Sequence, residues 1–83
     1  MPKTLRSPRQ LRLIELLVVR RKAAGLSQAA LAEALGRYQS VIAAMESGSR
    51  RIDVVELLDI ADVVGFDVHE LIDAVRQIPG HLA

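Results

Sequence analysis

Few side chains among these 83 residues carry the chemistry of bond making and breaking. His69 and Asp73 stand one helical turn apart, a spacing at which an imidazole and a carboxylate can share a metal ion; without a third ligand the pair makes a poor site. Ser7, Ser27, Ser40, Ser47 and Ser49 fall at helix starts, in turns or on one short helix, and no histidine is placed by the sequence beside any of them to activate a hydroxyl. There is no cysteine, so disulfide, zinc-knuckle and thiol chemistry are excluded, and the composition is compatible with a reducing cytoplasm. Neither a cofactor, a metal nor an enzymatic step is expected.

What remains is charge, and it is sorted along the chain. Residues 1–51 hold ten of the eleven Lys and Arg against Glu15, Glu33 and Glu46, a net of +7. Residues 52–83 hold Arg76 alone against Asp53, Glu56, Asp59, Asp62, Asp67, Glu70 and Asp73, a net of −6. The overall charge of +1 hides this dipole. Such sorting points to a polyanion, nucleic acid or an anionic surface, met by one half only.

The elements that must position these charges are helices. Apolar residues make up 51% of the chain and are mostly Leu, Val, Ile and Ala, with one Phe, one Tyr and no Trp, a composition that favours helix over an aromatic-rich sandwich. The expected fold class is all-α, five helices in one domain over residues 7–78, with a basic arm at 1–6 and a tail at 79–83. Ser7, Pro8 and Gln10 form a capping box and open a first helix that Gly25 stops. Ser27 caps a second, ended by Gly36; a third runs from about Gln39 to Ser47, closed by Gly48. Asp53 with Glu56 opens a fourth to Val64, and Asp67 with Glu70 repeats the device for a fifth that ends before Pro79. The longest apolar run, Val41 to Met45, is far short of the ~20 residues that span a bilayer. No membrane span, signal peptide or export is expected, and the cytoplasm is the expected location.

Helices two and three are short, and only Gly36, Arg37 and Tyr38 join them, so they must cross sharply. A helix-turn-helix makes fixed demands on such a pair. Ala32 supplies the small residue at the crossing, Gly36 the backbone for the turn, and Ile42 and Met45 the buried anchor of the third helix, with Leu31 and Leu35 beside them.

With those residues in place, the stretch RRKAAGLSQAALAEALGRYQSVIAAMESGSRRIDVVELLDIADVVGFDVHELI, residues 20–72, resembles the lambda-repressor-like, Cro-type helix-turn-helix family, also called XRE-like. The resemblance implies a five-helix DNA-binding domain whose third helix enters the major groove, usually as a symmetric dimer on a near-palindromic operator. It implies a phosphate contact for Gln28, at the N-terminus of helix two, and base-edge positions for Gln39, Ser40 and Ala44. Gln39 can bond adenine N6 and N7 together, Ser40 suits a base or a phosphate, and Ala44 reaches at most a thymine methyl. Arg37, Arg50 and Arg51 flank helix three and suit phosphates. Tyr38 stands where relatives carry a capping Ser or Thr; its phenol either donates to a phosphate or packs on the neighbouring turn. The resemblance also implies a salt bridge between Arg21 and Glu46. Ala43 and Ala44 replace the polar or basic residues of many relatives, so direct readout is sparse and DNA shape carries part of the specificity.

The acidic half must then face away from the duplex. Helix four is more apolar than one core-facing stripe requires, helix five adds further apolar residues, and Phe66, Val68, Leu71, Ile72 and Val75 are the expected homodimer interface. The leading reading is a sequence-specific double-stranded DNA-binding transcriptional regulator, expected to act as a repressor. The alternative is an antitoxin-like or protein-interaction module whose apolar, acidic C-terminal half holds a protein partner and whose helix-turn-helix is weak or only autoregulatory. Binding of an anionic membrane surface by helix one fits less well, because its charges are not gathered on one face.

Overall fold

The computed structural model describes residues 7–80 and contains α1 (Pro8–Ala23), α2 (Gln28–Leu35), α3 (Gln39–Ser47), α4 (Val54–Val64) and α5 (Val68–Arg76), with no strand among those residues. The expected basic arm at 1–6 and the last three residues of the tail lie outside the described residues. None of the described helices is long and apolar enough to cross a membrane.

Local chemistry sets the helix ends. Ser7 Oγ accepts from the Gln10 amide at 3.2 Å, Ser27 Oγ from the Ala30 amide at 3.0 Å, and the Asp53 carboxylate from the Glu56 amide at 2.7 Å. The reciprocal bond of a capping box is complete at α4, where Glu56 accepts from the Asp53 amide at 3.0 Å. At α1 the box closes on one side only, through the Ser7 hydroxyl, and Gln10 Nε2 is buried with no partner among the described residues. The second box expected at α5 does not form. Asp67 has ψ 112°, against 156° to 170° at the other side-chain caps, and its carboxylate takes the His69 amide at 2.8 Å instead of the Glu70 amide. Glu70 turns toward Arg20, 3.9 Å away.

Leu17, Leu31, Ala32, Ile42, Met45, Leu57, Ile60 and Leu71 form the buried core, so every helix contributes to it. Gly36 has φ 68°, a left-handed conformation that an L-residue reaches only at a cost of roughly 1–2 kcal/mol. The reversal lets the Arg37 amide donate back to Ala32 O at 2.9 Å, and α2 ends within one residue. At the other side of the domain Arg9 reaches across the fold: its Nε donates to Ile78 O at 2.8 Å and its Nη2 to Arg76 O at 3.4 Å. That guanidinium satisfies carbonyls at the end of α5 and fastens α1 to it.

One expectation changes here. Leu71 is 2% exposed and belongs to this chain's own core, because α5 turns that side toward α1 and α4. Phe66, Val68 and Val75 are half-buried against the same core. Of the five residues expected at a dimer interface, Ile72 alone is broadly exposed, at 47%.

Candidate nucleic-acid interface

α3 has two unlike faces. Ile42 and Met45 are buried and lock the helix to the core. Gln39 and Ser40 in the first turn are exposed, while Ala43 and Ala44 are half-buried. The helix starts without a side-chain cap: Tyr38 occupies the cap position in extended conformation, makes no capping bond, and is 82% exposed. The phenol therefore stands in solvent beside Gln39 and does not pack into the turn. At the other end Gly48 and Ser49 return amides to Met45 O and Ala44 O. The Ala44 carbonyl also accepts from the Ser47 and Ser49 hydroxyls at 3.1 and 3.3 Å, and the last turn is closed.

A buried ion pair fixes the helix from behind. Arg21 Nε and Nη2 donate to the two oxygens of Glu46 at 2.7 and 2.9 Å, and Nη1 donates to Leu26 O at 2.8 Å. Both side chains are only about a tenth exposed, at 9% and 11%. The bond to Glu46 raises the proton affinity of Arg21 above its ordinary value, against the opposing effect of burial. Gln28 Nε2 adds a third donor to Glu46, at 2.9 Å, and the Gln28 oxygen stands 3.5 Å from Gln39 Nε2. The structure thus joins Arg21, Glu46, Gln28 and Gln39 in one chain of hydrogen bonds running from the interior to the exposed first turn of α3. Sequence reasoning placed Gln28 at a phosphate; its amide is already engaged with Glu46.

A second carboxylate gathers the flanking arginines. Glu56 Oε1 is the capping oxygen that receives the Asp53 amide, and Oε2 receives Arg50 Nη2 at 2.7 Å and Arg37 Nη1 at 3.1 Å. The Glu56 side chain is 7% exposed, the two arginines 38% and 40%. The bond from Arg50 is the largest of the influences that hold the Glu56 carboxyl below its usual range, with the Asp53 amide and the charge of Arg37 acting in the same sense and burial opposing them. Arg50 is raised in turn, chiefly by that bond. Glu56 escaped the sequence reading, which saw it only as the third residue of a capping box; no spacing rule relates positions 37, 50 and 56. Arg51 is exposed, and its carbonyl accepts Arg50 Nη1 at 3.2 Å.

No group of three or more His, Asp or Glu arranged to hold a metal occurs among the described residues. The exposed large aliphatic side chains are Val54, Val55, Leu58 and Val63 on α4, Leu11 and Val19 on α1, and Ile72 on α5.

Five helices with a glycine-turned α2–α3 pair, and a third helix locked on one side and polar on the other, define a helix-turn-helix domain. The helix-turn-helix domain family matches residues 9–74. The structure is similar to that of an XRE-family like protein from Pseudomonas syringae pv. tomato str. DC3000, with a TM-score of 0.82 and 36% identity, over 94% of this chain and 95% of that one. No curated protein matches the chain. The chain belongs to the XRE-like helix-turn-helix family and is a DNA-binding regulator of that kind.

Proposed function

We propose that the chain is a sequence-specific transcriptional repressor that occupies a near-palindromic operator in double-stranded DNA as a homodimer, with the cytoplasm as its place of action. The observation that carries this reading is the arrangement around α3: Gln39 and Ser40 stand exposed on its first turn, Arg37 and Arg50 lie beyond its two ends, and its opposite face is buried. In this reading Gln39 and Ser40 meet base edges, Ala44 touches a thymine methyl, and Tyr38, Arg37, Arg50 and Arg51 meet phosphates. Gln28 serves through Gln39, and its N-terminal place on α2 still favours a nearby phosphate.

Dimerisation is proposed at α5. Ile72 borders a groove of about 450 Å³, lined by Leu13, Leu57, Val75 and the two arginines Arg9 and Arg76, that an apolar side chain of a second copy can enter. Two linked domains read half-sites roughly 34 Å apart and discriminate where one sparse reader does not. An Ile72→Asp variant should lower the mass measured by sedimentation while leaving the helical spectrum intact; an unchanged dimer would move the interface elsewhere.

The test of function is selection of binding sites from a random duplex pool at physiological salt, followed by variants on the selected site. Gln39→Ala should relax preference at one base position by ~1 to 3 kcal/mol, whereas Arg50→Ala should weaken every duplex alike and lower the salt slope by roughly one. Equal losses on all sequences for both variants would remove Gln39 from the base-reading set. A pool that yields no motif would favour the protein-interaction reading, whose support is the exposed row of Val54, Val55 and Leu58 on acidic α4.

A further inference from the structure

Arg37 and Arg50 sit thirteen residues apart in sequence, one in the turn before α3 and the other after its end. Two such arginines would ordinarily act as separate, mobile charges. Here both donate to the same oxygen of Glu56, so their donor nitrogens lie no farther apart than those two bonds laid end to end. The carboxylate itself cannot wander: its other oxygen is bonded to the Asp53 amide, and the side chain is buried in the first turn of α4. Among the described residues Arg37 spends one N–H of its five at this site, and Arg50 spends one on Glu56 and one on Arg51 O. The remaining donors belong to side chains that are 38–40% exposed.

We infer that Glu56 is a positioning residue for DNA recognition: it assembles Arg37 and Arg50 into one two-armed clamp for a backbone phosphodiester and so sets the register in which α3 meets base edges. This rests on the DNA-binding reading above. A phosphate gripped by two prearranged guanidiniums is held in place as well as in charge, because arginine presents its donors as a rigid fork and little side-chain freedom remains to be lost on contact. Register matters here, because Ala43 and Ala44 leave α3 few base contacts of its own. Glu56 also removes positive charge from the face, which weakens the attraction to any duplex regardless of sequence. Both effects act in one direction: the carboxylate favours the selected site over random DNA.

The decisive variant is Glu56→Gln, which keeps the acceptor for the Asp53 amide and removes the charge that gathers the arginines. Fluorescence anisotropy with the selected operator and with a random duplex, each over a salt series, should show the affinity ratio between them falling about tenfold, with binding to random DNA undiminished and its salt dependence steeper by about one ion. The same substitution made in an Arg37→Ala, Arg50→Ala background should change that ratio by less than about twofold. A merely structural role for Glu56 predicts the opposite pattern, equal losses on both duplexes that persist without the arginines, and that result would overturn the inference. An unchanged ratio in the single variant would overturn it as well. The two readings fail differently: wild-type protein that selects no motif removes the DNA-binding proposal itself, whereas wild-type protein that selects one while Glu56→Gln keeps its preference removes only the clamp. Thermal unfolding of each variant ensures that only folded protein is compared.

Discussion

Two carboxylates hold α3 in place, and they hold it in opposite ways. Glu46, on the helix itself, is answered by Arg21 with two parallel bonds and by Gln28 with a third, and the ion pair is about nine-tenths buried on both sides. Glu56, on α4, is equally buried, but its two arginines are more than a third exposed. The first arrangement has spent three of the five Arg21 donors inside the protein; the second has spent one on Arg37 and two on Arg50 and keeps the larger reserve. A buried pair of the first kind fixes geometry and is intolerant of losing one member, because the survivor is left charged and unsolvated. The second kind costs little to open on its solvent side, and its charges remain usable by an anion from outside.

Breaking the first arrangement should have the largest effect. Arg21→Met leaves Glu46 buried beside Gln28 alone, and we expect a loss of about 3–5 kcal/mol in urea unfolding, a large share of the stability of a domain this size. The paired change Arg21→Met with Glu46→Leu should recover most of it; if it does not, the pair is doing more than neutralising itself. Next comes the uncapped start of α3. Tyr38→Ser supplies the missing acceptor and should raise stability by ~0.5–1 kcal/mol, seen as a higher Tm. If DNA affinity falls in the same variant, the tyrosine is kept for its contact at the cost of the helix. On the Glu56 side, Arg37→Ala should cost under ~1 kcal/mol of stability, because Arg50 still covers the carboxylate. A loss as large as that of Arg21→Met would erase the distinction between the two sites.

The smallest effect is the dependence on acid. The Glu56 carboxyl is lowered in the folded chain, so between its folded value and the unfolded value of about 4.3 the unfolded state binds more protons. Its contribution to stability is therefore complete above about pH 4.3 and is lost as pH falls through the folded value. Urea midpoints measured across this range should fall less steeply for Glu56→Gln than for the wild type. Identical slopes would mean that the arginines hold the carboxyl no better in the folded chain than water does in the unfolded one.

Much of the fold was legible because helix ends are written in local chemistry. Ser27, Asp53, Gly36 and Gly48 each act within a few residues of themselves, and each marks the boundary that its type implies. The misreadings occur where the local rule admits two outcomes. Asp67 can cap through the second or the third amide, and the backbone angle that decides between them is not encoded by the Asp67–Glu70 spacing. Leu71 and Ile72 are adjacent and both apolar; which of them faces the core depends on the roll of α5 against α1, and the structure gives Leu71 to the interior. The polar network was legible only in part. Arg21 with Glu46 came through resemblance, while the engagement of Gln28 with Glu46 and the meeting of Arg37, Arg50 and Glu56 are tertiary facts with no sequence period behind them.

The bonds from Arg9 to the carbonyls of Arg76 and Ile78 also have a topological meaning. They join Arg9 to positions 67 and 69 residues further along, so the described residues begin and end side by side. Gly80 lies against the same guanidinium, about 3.7 Å from where its side chain would begin. A domain closed in this way is suited to circular permutation: a short bridge from the segment at Ile78 to the start of α1 replaces a juncture that already exists, and a new opening at an exposed turn such as Gly25 leaves the order of packing around α3 unchanged.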